Sequence, residues 1–252
     1  MLLVIDVGNS HTVFGVWDNN QWLATWRHQT DVETTEDELA AWLFEMLRVA
    51  KIEPNITEFV IASVVPSMNQ ILTFLAKKFF NTEPLFLNGN SNHGIKVDYN
   101  PVNSVGADRI ANAIAALSRY QAPIIVVDFG TATTFDVIDA NGVYTGGAIM
   151  AGPITAIQAL VQRGAKLPMV DLKAPDTAIG KDTTHSIQSG VMFGYAGAID
   201  ALVGRISGEL GSKPKVIATG GLGGVFTELC ESIESYDEML TLDGIKMFAQ
   251  NI

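Results

Sequence analysis

Two stretches of the chain share one hydrophobic pattern. Leu2 to Val13 reads LLVIDVGNSHTV and Ile124 to Phe135 reads IIVVDFGTATTF. Each is an apolar run rich in β-branched residues that reaches an Asp, then a Gly two positions on, then small hydroxyl or amide residues. That pattern predicts a buried strand closed by a tight polar turn. A constant shift of 122 positions pairs Val4 with Val126, Asp6 with Asp128, Gly8 with Gly130, Thr12 with Thr134 and Asn19 with Asn141. A shift of about half the chain predicts a duplicated domain.

After the first strand, Phe14 to Trp17 and Gln21 to Arg27 read as two further strands around the turn Asp18-Asn19-Asn20. Thr35 opens a helix with Leu39, Trp42, Leu43, Met46 and Leu47 at helical spacing. Phe59 to Val65 is a strand ending at Pro66, Met68 to Phe80 a helix, and Pro84 to Leu87 a strand. Asn88 to Asn103 reads as a loop in which Tyr99 is a ligand candidate and His93 a solvated residue. A helix starts at Gly106-Ala107-Asp108-Arg109, with Ile110, Ala113, Ile114 and Leu117 on one side. The second half repeats the three-strand opening through Phe135 to Ile138, the turn Asp139 to Gly142 and Val143 to Ile149. Helices follow from Gly152 to Arg163 and from Ser186 to Leu210, the latter with an apolar stripe and many small residues, suited to a core or to a second subunit. Lys215 to Ala218 is a strand, Thr219-Gly220-Gly221 a turn, and an amphipathic segment precedes the C-terminal LTLDGIKMFAQNI.

Composition narrows the function. The 252 residues are 48% hydrophobic and 17% charged, which fits one large compact domain or two small ones. No apolar run has the length of a membrane span and Met1 leads straight into a strand, so neither a membrane nor a secretory leader is expected, and the expected location is cytoplasmic. The net charge is −11 and the 16 Lys and Arg residues are scattered, a distribution that excludes a nucleic-acid track. An acidic protein can still hold an anionic nucleotide through backbone amides, a helix N-terminus and bound cations. The lone Cys230 reads as a small packing residue.

An acidic side chain followed by a Gly turn offers a carboxylate to a metal or its waters, and backbone N–H groups to phosphate oxygens. Asp-x-Gly is also a plain turn signal, but two copies in matched hydrophobic context favour a pair of facing turns gripping a nucleotide. Thr131, Thr133 and Thr134, behind Asp128-Phe129-Gly130, put hydroxyls where phosphate or cation contacts would fall, although β-branched residues also suit a strand. Asp108 is placed to take the proton of a substrate hydroxyl and Arg109 to offer a planar fork to a carboxylate; the plain alternative is an acid near a helix N-terminus beside a surface charge. Gly220-Gly221 and Gly223-Gly224 could let an adenine or ribose approach closely. The chain lacks both a Gly-x-x-x-x-Gly-Lys-Ser/Thr loop and a Gly-x-Gly-x-x-Gly after its first strand, which argues against Walker-type and dinucleotide-binding readings.

The motifs DVGNS, DFGTATT and TGG resemble the actin, hexokinase and Hsp70 class of phosphotransferases. More closely, YNP at Tyr99, GADR at Gly106, GGAI at Gly146, IGKDT at Ile179, QSG at Gln188, ATGG and LTLDG resemble, in order, the type III pantothenate kinase family. The resemblance implies an α/β protein of two ribonuclease H-like (actin-like ATPase) halves with a cleft between them. The first would cover residues 1 to about 113 with the C-terminal helix of about 240–252, and the second 114–239, where two copies would pack as a homodimer. It implies transfer of the ATP γ-phosphoryl group to the terminal hydroxyl of pantothenate, the first step of coenzyme A synthesis. Asp6, Val7, Gly8, Asn9, Ser10, His11, Thr12, Val13 and Thr131 would meet the nucleotide, with Asp6 placing Mg²⁺. Asp128 would coordinate a monovalent cation, K⁺ or NH₄⁺. Tyr99, Gly106, Ala107, Asp108, Arg109 and Thr183 would line the pantothenate pocket, Asp108 as proton acceptor. The chain departs from the family pattern at Ser10, where Thr is usual, and at Ala151-Gly152, where Pro-Gly is usual. Two other readings are a kinase of the same superfamily acting on another small hydroxylated acid or sugar, and a non-catalytic nucleotide-binding regulator.

Overall fold

The structure is a computed structural model that describes residues 1–164 and 166–250. In chain order its first elements are β1 (Leu2–Val7), β2 (His11–Asp18), β3 (Gln21–Gln29), α1 (Glu36–Val49), β4 (Glu58–Ser63), α2 (Pro66–Phe80) and β5 (Leu85–Leu87). Then come β6 (Lys96–Val97), a 3₁₀ turn at Val102–Ser104 and α3 (Ala107–Arg119). The repeat follows as β7 (Ile124–Phe129), β8 (Ala132–Ile138), β9 (Val143–Ala151), α4 (Pro153–Arg163), α5 (Thr183–Leu210), β10 (Lys215–Thr219), α6 (Gly223–Thr227) and β11 (Ser235–Tyr236), before α7 (Leu240–Gln250). The last two positions expected in the C-terminal helix lie outside the described residues.

The chain forms two compact units. One comprises Met1–Ile95, Tyr99–Ala115 and the chain from Leu240 on; the other comprises Lys96–Asp98 and Ala116–Met239. In the first, the sheet order is β3-β2-β1-β4-β5, with β1 antiparallel to β2 and parallel to β4. Apolar residues on both faces of β1 follow from this central place, since both faces of the sheet are covered. Leu39, Leu43 and Leu47 of α1 and Leu72 and Leu75 of α2 pack with Leu3, Ile5, Phe14 and Phe59. Thr35 and Glu38 close a reciprocal capping box at the start of α1, as the acidic first turn requires.

The second sheet runs β9-β8-β7-β10-β11 with β6 added outside β9, so the first unit's order recurs with one extra strand. The repeat extends to an irregularity. Pairing of β2 with β3 slips between Val16 and Trp17, and pairing of β8 with β9 slips between Val137 and Ile138. Between these landmarks the shift of 122 does not hold throughout. Val7 faces Thr12, while its counterpart Phe129 faces Thr133, so Thr12 matches Thr133 and the pairing of Thr12 with Thr134 is corrected. The first turn of the second copy is one residue shorter. The next is one residue longer: Asn19 and Asn20 make a two-residue turn with φ 48° and 61°, whereas Ala140 to Gly142 span three residues and end on Gly142 at φ 74°. After that turn the shift is again 122, matching Trp22 to Tyr144 and Thr30 to Gly152.

Several boundaries differ from those expected. α2 starts at Pro66 rather than Met68, because the missing N–H of proline costs nothing in the first helical turn. α5 starts at Thr183 rather than Ser186, since Asp182 caps it by accepting the His185 N–H at 2.8 Å. The expected loop Asn88 to Asn103 contains β6 and the start of the 3₁₀ turn. His93 is buried there at 6% exposure, with Nε2 3.3 Å from the Gly89 carbonyl, rather than solvated. α7 packs its Gly244 onto α3, where an added Cβ would fall 1.9 Å from the Ala111 carbonyl oxygen. Trp22 Nε1 donates to Asp243 at 3.0 Å, and Lys246 sits 2.6 Å from the same carboxylate with its ammonium over the Trp17 ring at 3.9 Å.

Candidate active site

In the first unit three segments meet at the carboxyl ends of the parallel strands β1 and β4, where open α/β sheets present ligand sites. The turn after β1 is tied to the turn after β4 by the Val64 N–H donating to the Val7 carbonyl at 3.0 Å. Val64 in turn lies against Gly106 at the head of α3: a Cβ on Gly106 would be 3.5 Å from Val64 Cγ1 and 2.4 Å from Asp108 Oδ1. Asp6 to His11 and Gly106 to Arg109 thus share one edge of the unit. A side chain at 106 would have to displace the Asp108 carboxylate, which folds back into that space.

Asp6 is half-buried at the end of β1; Asn9, Ser10 and His11 are exposed; Val7 and Thr12 are buried and Val13 half-buried. Of the predicted nucleotide stretch, the side chains open to a ligand are therefore those of the turn. Gly8 N–H donates to the His11 carbonyl at 3.0 Å, which closes the turn. Thr12 turns its hydroxyl inward to the Thr30 hydroxyl at 3.0 Å, and Thr30 Oγ1 donates to the Gly8 carbonyl at 2.7 Å. Asp108 is half-buried and accepts the Arg109 N–H at 2.8 Å. Burial pushes its carboxyl above the ordinary value, against the opposing pull of that N–H and of the Arg109 charge. Arg109 is itself 7% exposed. Tyr99 is half-buried on the strap that leads through the 3₁₀ turn into α3.

In the second unit the corresponding edge is built from β7, β9 and β10. Asp128 is half-buried at the end of β7, and a Cβ on Gly220, where φ is +83°, would lie 2.4 Å from Asp128 Oδ1. Thr131 is exposed; its carbonyl accepts the Gly152 N–H at 3.0 Å and the Thr155 hydroxyl at 2.8 Å. Thr133 is fully buried with its hydroxyl 2.7 Å from that of Tyr195, whose single proton goes to the Ala151 carbonyl, so Thr133 is the donor of the pair and supports the turn from inside rather than facing a ligand. The space left by Gly223 and Gly224 is taken by the chain's own Tyr236 ring, 2.6 Å from a Cβ built on Gly223, and not held open for a base. Thr183 belongs to α5. It is exposed in the first turn of α5 and lines a cavity of about 640 Å³ with Leu160, Lys181, Asp182 and Ile187. Sequence reasoning passed over Thr30 and Tyr195. A hydroxyl at the end of the third strand was the available signal for Thr30; Tyr195, 62 residues from its partner Thr133, had none.

Among the described residues no three His, Cys, Asp or Glu side chains cluster as a ready-made metal cage. Asp6 and Asp128 are hard oxygen donors beside exposed turns, which fits cations that keep most of their ligands as water and substrate oxygens.

The type III pantothenate kinase family model matches residues 2–205. A curated type III pantothenate kinase from Desulfatibacillum aliphaticivorans is 45% identical over 254 aligned positions, covering 100% of this chain and 99% of the relative. Among solved structures, a Campylobacter jejuni protein described as a Baf family transcriptional activator superposes with a TM-score of 0.64 at 20% identity, covering 99% of this chain and 98% of its own. The ethanolamine utilization protein EutJ of Carboxydothermus hydrogenoformans gives 0.59 at 16% identity, covering 98% and 89%. At these identities the structures speak for the fold alone, a duplicated ribonuclease H-like α/β fold.

Proposed function

Because the chain belongs to the type III pantothenate kinase family, we propose that it transfers the γ-phosphoryl group of ATP to the terminal hydroxyl of pantothenate, opening coenzyme A synthesis. The observation that carries this reading is 45% identity to such a kinase along the whole chain. The residues add chemical sense. The hydroxyl oxygen of pantothenate attacks the γ-phosphorus, the bond from that phosphorus to the β,γ-bridging oxygen breaks, and Asp108 takes the hydroxyl proton. A carboxylate made more basic by burial is better suited to that task than an exposed one. Arg109 supplies positive charge beside the reacting group, with Tyr99, Gly106, Ala107 and Thr183 as further pantothenate contacts.

The exposed turn Asn9 to His11 with Gly8, and Thr131, hold the triphosphate through backbone and hydroxyl donors, with Asp6, Val7, Thr12 and Val13 building that turn. Asp6 would hold Mg²⁺ and Asp128 a monovalent cation, K⁺ or NH₄⁺; when bound, these ions neutralise charge on the transferring phosphoryl group. The oxygen-only donor set and the Gly220 backbone pressed onto Asp128 support that assignment. One face of α5 supports a homodimer: Gly190, Gly194, Gly197, Ala201, Gly204 and Gly208 recur at spacings of four and three and are all exposed. A Cβ on any of those glycines would meet nothing within 4 Å, so a second helix could approach closely along the seam. The substrates are small and soluble, which supports a cytoplasmic site of action.

The test is a coupled kinase assay with ATP and pantothenate, with and without potassium, on the native chain and on Asp108→Asn. Turnover that needs pantothenate and falls steeply in the variant is expected. No turnover on pantothenate, but turnover on another small hydroxylated acid or a sugar, would reassign the substrate, and full activity of Asp108→Asn would remove that residue from its role.

A further inference from the structure

We infer that Thr30 is a positioning residue for the nucleotide's phosphates, setting the Gly8 to His11 turn from behind. Thr30 grips that turn twice. Its N–H donates to the Ser10 carbonyl at 3.0 Å and its hydroxyl donates to the Gly8 carbonyl at 2.7 Å. Since the Thr30 proton is committed to Gly8, the 3.0 Å contact between the Thr12 and Thr30 hydroxyls has Thr12 as donor. The result is a chain, Thr12 to Thr30 to the Gly8 carbonyl, each bond strengthening the next. In a trans peptide the N–H points opposite to the C=O, so drawing the Gly8 carbonyl toward Thr30 aims the Asn9 N–H away from Thr30. The same pull polarises that amide and makes it a stronger donor to an anionic oxygen.

The duplicated half provides an internal control. Gly152 occupies the place of Thr30, and its N–H makes the same bond, to the Thr131 carbonyl at 3.0 Å. No side chain fits there: a Cβ on Gly152 would be 2.4 Å from the Gly130 carbonyl and 2.6 Å from the Thr131 carbonyl. The buried hydroxyl matching Thr12, that of Thr133, is bonded by Tyr195 instead, whose hydroxyl also meets the Ala151 carbonyl. The backbone grip is therefore common to both halves, but the hydroxyl falls on different carbonyls: in the second half Thr155 reaches that of Thr131, already held by Gly152, at 2.8 Å, whereas in the first Thr30 reaches that of Gly8, whose peptide carries the Asn9 N–H.

This inference rests on the reading that the Gly8 to His11 turn holds ATP, and steady-state kinetics separates the two. Thr30→Val keeps the shape and removes the hydroxyl; Thr30→Ser restores it. We expect Thr30→Val to lower kcat/KM for ATP about tenfold, the scale of one hydrogen bond on a charged ligand. KM for pantothenate should stay unchanged, and Thr30→Ser should recover most of the loss. Thr12→Val, which removes only the upstream donor, should cost about two- to threefold by the same scale. Should Thr30→Val not fold, Thr12→Val decides: no change in kcat/KM for ATP overturns the relay. A folded Thr30→Val within twofold of native, or a loss shared equally by both substrates and not recovered by serine, also overturns it. A native chain that turns over no ATP with pantothenate refutes instead the functional reading beneath it.

Discussion

Replacing Gly244 by alanine tests the contact that holds the C-terminal helix on the helix carrying Asp108. The new methyl carbon would lie 1.9 Å from the Ala111 carbonyl oxygen, 2.5 Å from its carbon and 2.9 Å from its Cα, all backbone atoms that no rotamer change can move. Restoring even the 3.0 Å that real Cβ atoms respect requires α7 and α3 to part by at least about 1.1 Å locally, an overpacking step that costs about 1–3 kcal/mol. That displacement also carries Thr241 Oγ1 from 2.8 Å out of reach of Asn112 Oδ1 and loosens the 3.0 Å bond from Trp22 to Asp243. Asn112 is fully buried, so the lost partner is not replaced by water, adding about 1–2 kcal/mol. Against this, alanine gains about 1 kcal/mol of helix propensity over glycine. The balance is a loss of about 1–4 kcal/mol, a fall in thermal midpoint of roughly 3–12 °C for a chain of this length. Urea and thermal unfolding followed by circular dichroism measure it. At temperatures where the variant is folded, kcat should fall about tenfold because Asp108 lies within one turn of Ala111 on α3 and small misplacements of a base are expensive. A midpoint equal to or above native would show that propensity wins and that α7 does not seat on Ala111, which would refute the reasoning.

Asp108→Asn should lower kcat by about 10²- to 10⁴-fold, the usual contribution of a general base, while raising stability at neutral pH. The sign follows from burial. The folded chain holds the Asp108 proton more tightly than the unfolded chain, so this group's contribution is fully present below the unfolded pKa and is lost as pH rises through the raised folded value. Denaturant titrations at acid and neutral pH should show the variant spared that loss; a variant less stable than native at pH 7 would contradict it. Gly220→Ala should destabilise by about 2–4 kcal/mol, combining a φ of +83° with overlap on Asp128 Oδ1 and the Phe129 backbone. Unchanged unfolding together with unchanged potassium dependence would count against Asp128 as the cation ligand. Gly197→Glu should convert a particle of twice 27.1 kDa into one of 27.1 kDa by sedimentation without unfolding it, since a Cβ there meets nothing of its own chain. A native chain that already sediments as a monomer would overturn the dimer.

What was legible in the sequence was whatever local patterning dictates. The two Asp-x-Gly strands, their shared three-strand opening and the head of α3 follow from alternation, turn residues and helix spacing. What was hidden depends on partners far along the chain. His93 reads as a polar loop residue because nothing local shows that Gly89 packs against the Val102 carbonyl while its own carbonyl lies 3.3 Å from the buried imidazole. The start of α5 was missed by three residues because its cap, Asp182, lies in a segment broken by prolines. Most instructive is the duplication itself. A uniform shift paired Thr12 with Thr134 because one deletion and one insertion, in successive turns, cancel along the sequence; only strand register separates them. Once Thr12 is matched to Thr133 and Thr30 to Gly152, the two halves differ in a definite way. Both lock the turn with one backbone bond of 3.0 Å, but the first adds the Thr12–Thr30 relay onto the Gly8 carbonyl, while the second puts the Thr155 hydroxyl on the Thr131 carbonyl and leaves no room for a side chain at Gly152. A relay that polarises an amide suits the phosphate contact proposed for the first turn. The equivalent position of Thr30 and Gly152 is thus where the repeated strand-and-turn diverges, and it is the place at which the proposed phosphate contact would be confined to the first half.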